Sequence, residues 1–149
     1  MIVVWGIAVL CTLFLSSCKR PEVLDNSTLV NSARNVALTF GPAYVPFFKE
    51  ANVSDVQVFK KEDYGGDSRP QIRKQIGRKF YTVTFTYDST AVKFDFGFAA
   101  RVRIWKDTGE PLDVIFGNGW GRNFFFLSFK EQTNHSPNDY EKVASDSIV

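Results

Sequence analysis

Histidine is almost missing from this chain: His135, in a polar stretch near the end, is the only one. Cysteine is nearly as scarce, with Cys11 and Cys18 the only pair. One imidazole and so few thiols leave zinc sites and Ser–His or Cys–His nucleophilic pairs without their parts, so no metal or cofactor is expected. Excess charge of one sign is lacking too. Lys+Arg 18 against Asp+Glu 16 gives a net charge of +2, far from the basic bias of a nucleic-acid surface, and no nucleic-acid partner is expected. No internal repeat or low-complexity block is present. With 44% hydrophobic and 23% charged residues the chain is too apolar to be disordered, and its length suits one globular domain. What is abundant is phenylalanine. Fifteen of them imply large buried areas and a strand-rich fold.

A further absence is local. Between Met1 and Ser17 there is no charged side chain. Residues 2–10, "IVVWGIAVL", with "LFL" at 13–15, make an apolar stretch of about 14, short of the roughly 20 that a membrane span needs. Its length and the small residues after it fit a cleaved secretory leader. Leu15-Ser16-Ser17-Cys18 resembles the bacterial lipobox: an aliphatic residue, two small ones, then cysteine. The resemblance covers the first 18 residues. It implies that 1–17 is a lipoprotein signal peptide, cut before Cys18, whose sulfur carries a diacylglycerol and whose new amino group is acylated. Two or three acyl chains make a lasting anchor, since each buried methylene contributes about 0.8 kcal/mol and one chain alone holds only marginally. Cys11 then leaves with the leader and Cys18 is blocked, so the mature chain has neither a free thiol nor a disulfide. Lys19, where an aspartate would signal retention at the inner membrane in enteric-type bacteria, implies the periplasmic face of the outer membrane. Residues 18–27 read as a lipidated tether, and residues 28–130 as one domain.

Within that domain, Leu29, Ala33, Val36, Ala37 and Phe40 share one face of a helix over 28–40. Asp25, Asn26 or Ser27 caps its start and Gly41-Pro42 stops it. The apolar stretch after it, broken by Pro46, continues the helix with a kink or forms a short second one. From residue 53 the period changes to two. Residues 53–61 read as a modest strand with Val56 and Val58 on one face, 63–70 as a loop, and 79–87 as a clean strand. Residues 91–105, "AVKFDFGFAARVRIW", read as one long strand bent at Gly97, because about 50 Å of straight strand would exceed the usual length. A turn at "KDTGE", a strand at 112–116, a loop at "GNGWG" and a strand at 124–129 follow, with a polar tail over 131–149. The expected fold class is α+β: an N-terminal helix packed on a curved antiparallel meander of four to five strands. That element order resembles the cystatin-like group, including the nuclear-transport-factor-like cones.

Four motifs invite chemistry. Asp107-Thr108-Gly109 matches the aspartic-protease triplet, but Lys106 and Glu110 flank it, and between alternating strands the same residues make a hairpin turn. "RNFFFLSF" at 122–129 resembles the RNA-recognition octapeptide but has Asn123 and Phe125 where glycines belong, and reads as a buried strand. "GNGWG" joins strands and carries Trp120. Together with Trp105, on the polar face of the long strand, Trp120 is a candidate ligand contact, because aromatics in such places stack on sugars or sit at membrane interfaces. Arg69, Arg73, Lys74, Arg78 and Lys79, with no acid among them, are candidate contacts to an anionic surface. Asp95, Asp107, Glu110 and Asp113 are near one another in sequence, and a carboxylate pair could be built from them. The N-x-S/T triplets at Asn26, Asn52 and Asn134 matter only in a eukaryotic secretory route, which the lipobox disfavours.

The expectation is a lipid-anchored envelope lipoprotein acting as a non-enzymatic binding or accessory module. Its partners would be the membrane, through the N-terminal lipid, and an envelope protein, glycan or lipid. The alternatives are a carboxylate-based hydrolase in a cone-shaped sheet and an envelope inhibitor or immunity protein. Two inward-facing acids would favour the hydrolase, and a filled apolar interior the module.

Overall fold

The computed structural model describes residues 24–134. The leader, Cys18 and the tail from His135 lie outside the described residues. The first element, α1 (Asn26–Phe40), begins where Asp25 turns its carboxylate back to accept a hydrogen bond from the Thr28 N–H at 2.7 Å, satisfying one of the orphan donors of a helix start. Leu29, Ala33, Val36 and Ala37 are buried along one stripe, as the spacing predicts. The helix ends at Gly41, whose N–H donates to the Ala37 carbonyl at 2.8 Å. Glycine is required there for a packing reason: the Phe116 ring lies where any Cβ would stand. A 3-10 turn over Pro42–Phe47, with Pro46 inside it, follows.

The sheet has six antiparallel strands: β1 (Ala51–Val53), β2 (Gln57–Val58), β3 (Lys79–Phe85), β4 (Ala100–Trp105), β5 (Pro111–Phe116) and β6 (Gly121–Asn123). β3 to β6 form a consecutive meander, and β1 and β2 both pair with the outer side of β3. A bulge between Arg103 and Ile104 shifts the β4–β5 register, so that Arg103 faces Asp113 and Ile104 faces Pro111. The extra residue, Leu112, is thereby buried with the second cluster described below.

One face of this sheet lies under α1. Val83, Phe85, Ala100, Val102, Ile104, Val114 and Phe116 meet Leu29, Ala33, Val36 and Ala37 in the main core, and Phe48 stacks on Phe85 with ring centroids 4.2 Å apart. The opposite face is only half covered. The segment after β2, including a short α2 (Pro70–Arg73), folds over one end of it and buries Phe59 and Ile72 against Phe80, Trp105 and Leu112.

An α+β architecture is therefore present, with one main helix on an open antiparallel sheet. Several boundaries differ from expectation. The strand expected over 53–61 is split in two, and Val56 and Val58 are exposed while Phe59 is buried. Alternation misleads there because β2 is only two residues long, with Val56 outside it and Val58 half-exposed at the sheet's edge. The long strand over 91–105 survives only as β4. Its neighbour β3 ends at Phe85, so residues 91–99 have no ladder to join. Phe94 instead packs among Tyr44, Phe47 and Tyr87. The final strand is Gly121–Asn123 rather than 124–129. Beyond it the phenylalanines part company: Phe124 and Phe129 go to Phe40, while Phe125 goes to Phe59 and Tyr64. The region expected to be a polar tail from 131 begins inside a helix, α3 (Phe129–Thr133). It is held by a reciprocal cap between Ser128 and Glu131, and Gln132 is buried with its amide donating to the Asn123 and Leu127 carbonyls. No helix among the described residues is long and apolar enough to cross a membrane.

Candidate functional site

The uncovered half of the sheet's second face is the candidate site. Cross-strand register sets two rows on it, polar except at Ile115: Asn52–Thr84–Arg101–Ile115, and Thr82–Arg103–Asp113–Asn123. They follow from the period of two. Each arginine stands one residue away from the buried Val102, so β4 sends its valine to the core and its guanidinium groups to the other side. Gln57 and Asp63 close the sides, giving a groove of about 460 Å³ lined by Gln57, Asp63, Thr82, Thr84, Arg101, Arg103, Asp113 and Ile115.

Its floor is pinned by one ion pair. Arg103 Nε lies 3.0 and 3.1 Å from the two Asp113 oxygens, and its Nη2 also bonds to Asp113. Asp113 is 4% exposed. Burial pushes its carboxyl above the ordinary aspartate range, against the opposing hydrogen bonds and attraction of Arg103. Burial works against the Arg103 charge as well, but the bonds to Asp113 outweigh it and the guanidinium is held more firmly charged than usual. Arg103 also reaches Asp63, Nη1 to Oδ1 3.8 Å, while the other Asp63 oxygen accepts from the Lys60 N–H. Its guanidinium lies 5.3 Å from the Phe80 ring centroid. The two acids here are thus held by one cation between them.

Arg101 differs. It is exposed, lies 4.3 Å over the Phe98 ring, and has no ion-pair partner among the described residues. Beside it the Thr82 hydroxyl donates to Gln57 at 2.8 Å, and Asn52 is exposed at the rim. The groove therefore offers a fixed floor, a cation without an ion-pair partner among the described residues, hydroxyls and amides.

The residues singled out from sequence fall elsewhere. Cys18 lies outside the described residues. Trp105 is on the face expected for it, but buried at 5% exposure, with Arg78 4.0 Å over its ring. It reaches a hollow of about 180 Å³ shared with Gln75, Arg78 and Glu110. Trp120 is 42% exposed and stacks on Phe116 at 5.4 Å. Its loop is a tight hairpin in which Gly119, at φ 86, donates to the Phe116 carbonyl and the Trp120 N–H bonds to Asn118, so those amides are spent within the turn. Asp107-Thr108-Gly109 is the β4–β5 turn, with Gly109 at φ 71. Hydrogen bonds from Arg78 hold the Asp107 carboxyl below its ordinary range. Of the five cations between 69 and 79, Arg69 pairs with Asp67 and Arg78 with Asp107. Arg73, Lys74 and Lys79 stay exposed.

Sequence reasoning missed Asp63, Arg101 and Arg103, and the coming together of Asp113 with Asp63 rather than with its sequence neighbours Asp95, Asp107 and Glu110. The arginines were legible in "ARVRI" as the positions complementary to the buried ones. Asp63 carried no signal, because the 3-10 turn that delivers it folds back across the sheet. No protein-family model, curated protein or solved structure matches this chain.

Proposed function

We propose that this protein is a lipid-anchored, non-enzymatic binding module of the bacterial cell envelope, and that its groove takes a hydroxyl-rich glycan bearing a carboxylate. The observation that carries the reading is the division of labour between the two sheet faces. The helix side is filled by apolar side chains. The other side presents Arg101 without an ion-pair partner among the described residues, above a floor locked by the Arg103–Asp113 pair. A guanidinium matches a carboxylate through paired N–H donors, and threonine, asparagine and glutamine side chains serve hydroxyls in both directions. Asp113 and Asp63 are committed to Arg103, which supports a positioning role for them in place of acid–base work. The anchor rests on Leu15-Ser16-Ser17-Cys18 and the uncharged leader before it.

Both halves have tests. In cells fed labelled palmitate, the wild-type protein takes up label and stays with membranes. Cys18→Ser should abolish the labelling, and undiminished uptake would remove the anchor. For the groove, titrating the ¹⁵N-labelled protein with muramidase-released peptidoglycan fragments should move the Thr84, Arg101 and Ile115 amides first. Arg101→Glu should suppress those shifts. Shifts confined to the Trp120 hairpin, or none at all, would count against the groove.

A further inference from the structure

The end of the molecule where the described chain begins carries an unusual surface. Leu24 packs against the main core, and its side chain comes within 3.3 Å of where a Cβ on Gly109 would stand, so the first described residue sits beside the β4–β5 turn. α1 then runs away from it for 15 residues, about 22 Å, and ends against Phe116. The same β4–β5 end holds Lys106, whose N–H donates to the Lys79 carbonyl at 2.9 Å. It also holds the segment of Arg73 and Lys74, fixed there by Ile72 in the Trp105 cluster. Arg73, Lys74, Lys79 and Lys106 are exposed and have no ion-pair partner among the described residues. The exposed acids at this end include Asp107, which Arg78 neutralises, Glu110, and Asp25, whose carboxylate caps α1 beside Leu24. Among these cations stands Ile76, 46% exposed, in the turn ending at Gly77, φ 89. The opposite end has no such excess: Asp88 is paired with Lys49, and Lys93 and Asp95 offset each other.

We propose that this end is a docking face for anionic phospholipid headgroups, seating the anchored domain with Ile76 at the interface and the Trp120 end pointing away from the bilayer. The inference rests on the anchor reading. Five residues lie between Cys18 and Leu24, and covalent geometry limits the six steps that join them to about 20 Å, so the face is held near the membrane by its own tether. Cations near an anionic leaflet are attracted at short range and released by salt. An exposed apolar side chain ringed by lysine and arginine suits the boundary between headgroups and acyl chains.

The experiment uses the mature full chain on vesicles of phosphatidylglycerol mixed with phosphatidylcholine, and on pure phosphatidylcholine. Lysine acetylation is read residue by residue by mass spectrometry. On the anionic vesicles, Lys74, Lys79 and Lys106 should react at least ~5-fold more slowly, while Lys49 and Lys93 keep their rates. About 0.5 M salt should abolish the difference, and Ile76→Asp, an exposed position, should weaken the protection. Equal rates on the two vesicle types, or protection shared equally by Lys93, would overturn the proposal. The acyl mass on the N-terminal peptide of the same digest reads the anchor separately. A chain without it fails the anchor reading, while its lysine protection on anionic vesicles still decides the docking face.

Discussion

Replacing Arg103 by methionine should cost about 3–5 kcal/mol of folding free energy at pH 8, and distinctly less at pH 5. Asp113 is almost fully buried and its hydrogen bonds come from Arg103. Without that partner a bare carboxylate is left in a low-dielectric pocket beside Asp63. Its proton affinity, already raised by burial, rises further. The sign follows from proton binding: where the folded state holds a proton that the unfolded state has lost, stability falls as pH rises. The variant's deficit should therefore grow from the wild-type Asp113 value, already above the ordinary aspartate range, up to the variant's higher one, and be complete above it. Urea melts of wild type and variant at the two pH values measure this. Arg103→Met combined with Asp113→Leu should regain most of the loss, because no unpaired charge then remains. A deficit independent of pH would mean that Asp113 does not carry its charge in the fold.

Phe116→Ala should cost a similar amount, about 3–5 kcal/mol, through a different mechanism. Phe116 is fully buried, lies 4.6 Å from the Tyr44 ring, stacks beneath Trp120 and presses on Gly41. It joins the end of α1, the 3-10 turn and the β5–β6 hairpin. Removing it leaves a cavity that three separate segments would have to close, and losses of this size take up a large part of a domain's usual stability of 5–15 kcal/mol. The denaturation midpoint should fall sharply with little change in slope. A loss below about 1 kcal/mol would show that the Tyr44–Phe116–Trp120 stack does not hold these segments together.

Where periodicity was reinforced by a stop signal, the sequence was readable. The stripe Leu29–Ala33–Val36–Ala37 with Gly41-Pro42 behind it gave α1, and Asp107-Thr108-Gly109 between alternating runs gave a turn. Readability failed where alternation continued past the end of a partner strand. Phe94, Phe96 and Phe98 keep step with Val102 and Ile104 in the sequence, yet nothing at β3 extends far enough to pair with them, so aromatic packing takes over. The phenylalanines at 124–129 misled in the same way, since two cores compete for them. For the site, the polar positions of β4 were visible as complements of its buried ones. The delivery of Asp63 to Arg103 depends on chain reversal after β2, which no local pattern encodes. Alternation also put Trp105 on the correct face but could not reveal the cover of Phe59 and Ile72 over it.

The same geometry gives the molecule two different ends and two different faces. A basic end lies beside Leu24, the first described residue, an aromatic one about a helix length away, and the groove lies along the face that α1 leaves free. The proposed envelope role presumes that the chain is held at a membrane by its N-terminus. The intact mass of the native protein, extracted from membranes with detergent, tests that most directly. The expected species begins at Cys18 and carries diacylglyceryl and N-acyl additions; a species that keeps residues 1–17, or that begins at an unacylated cysteine, would contradict the account.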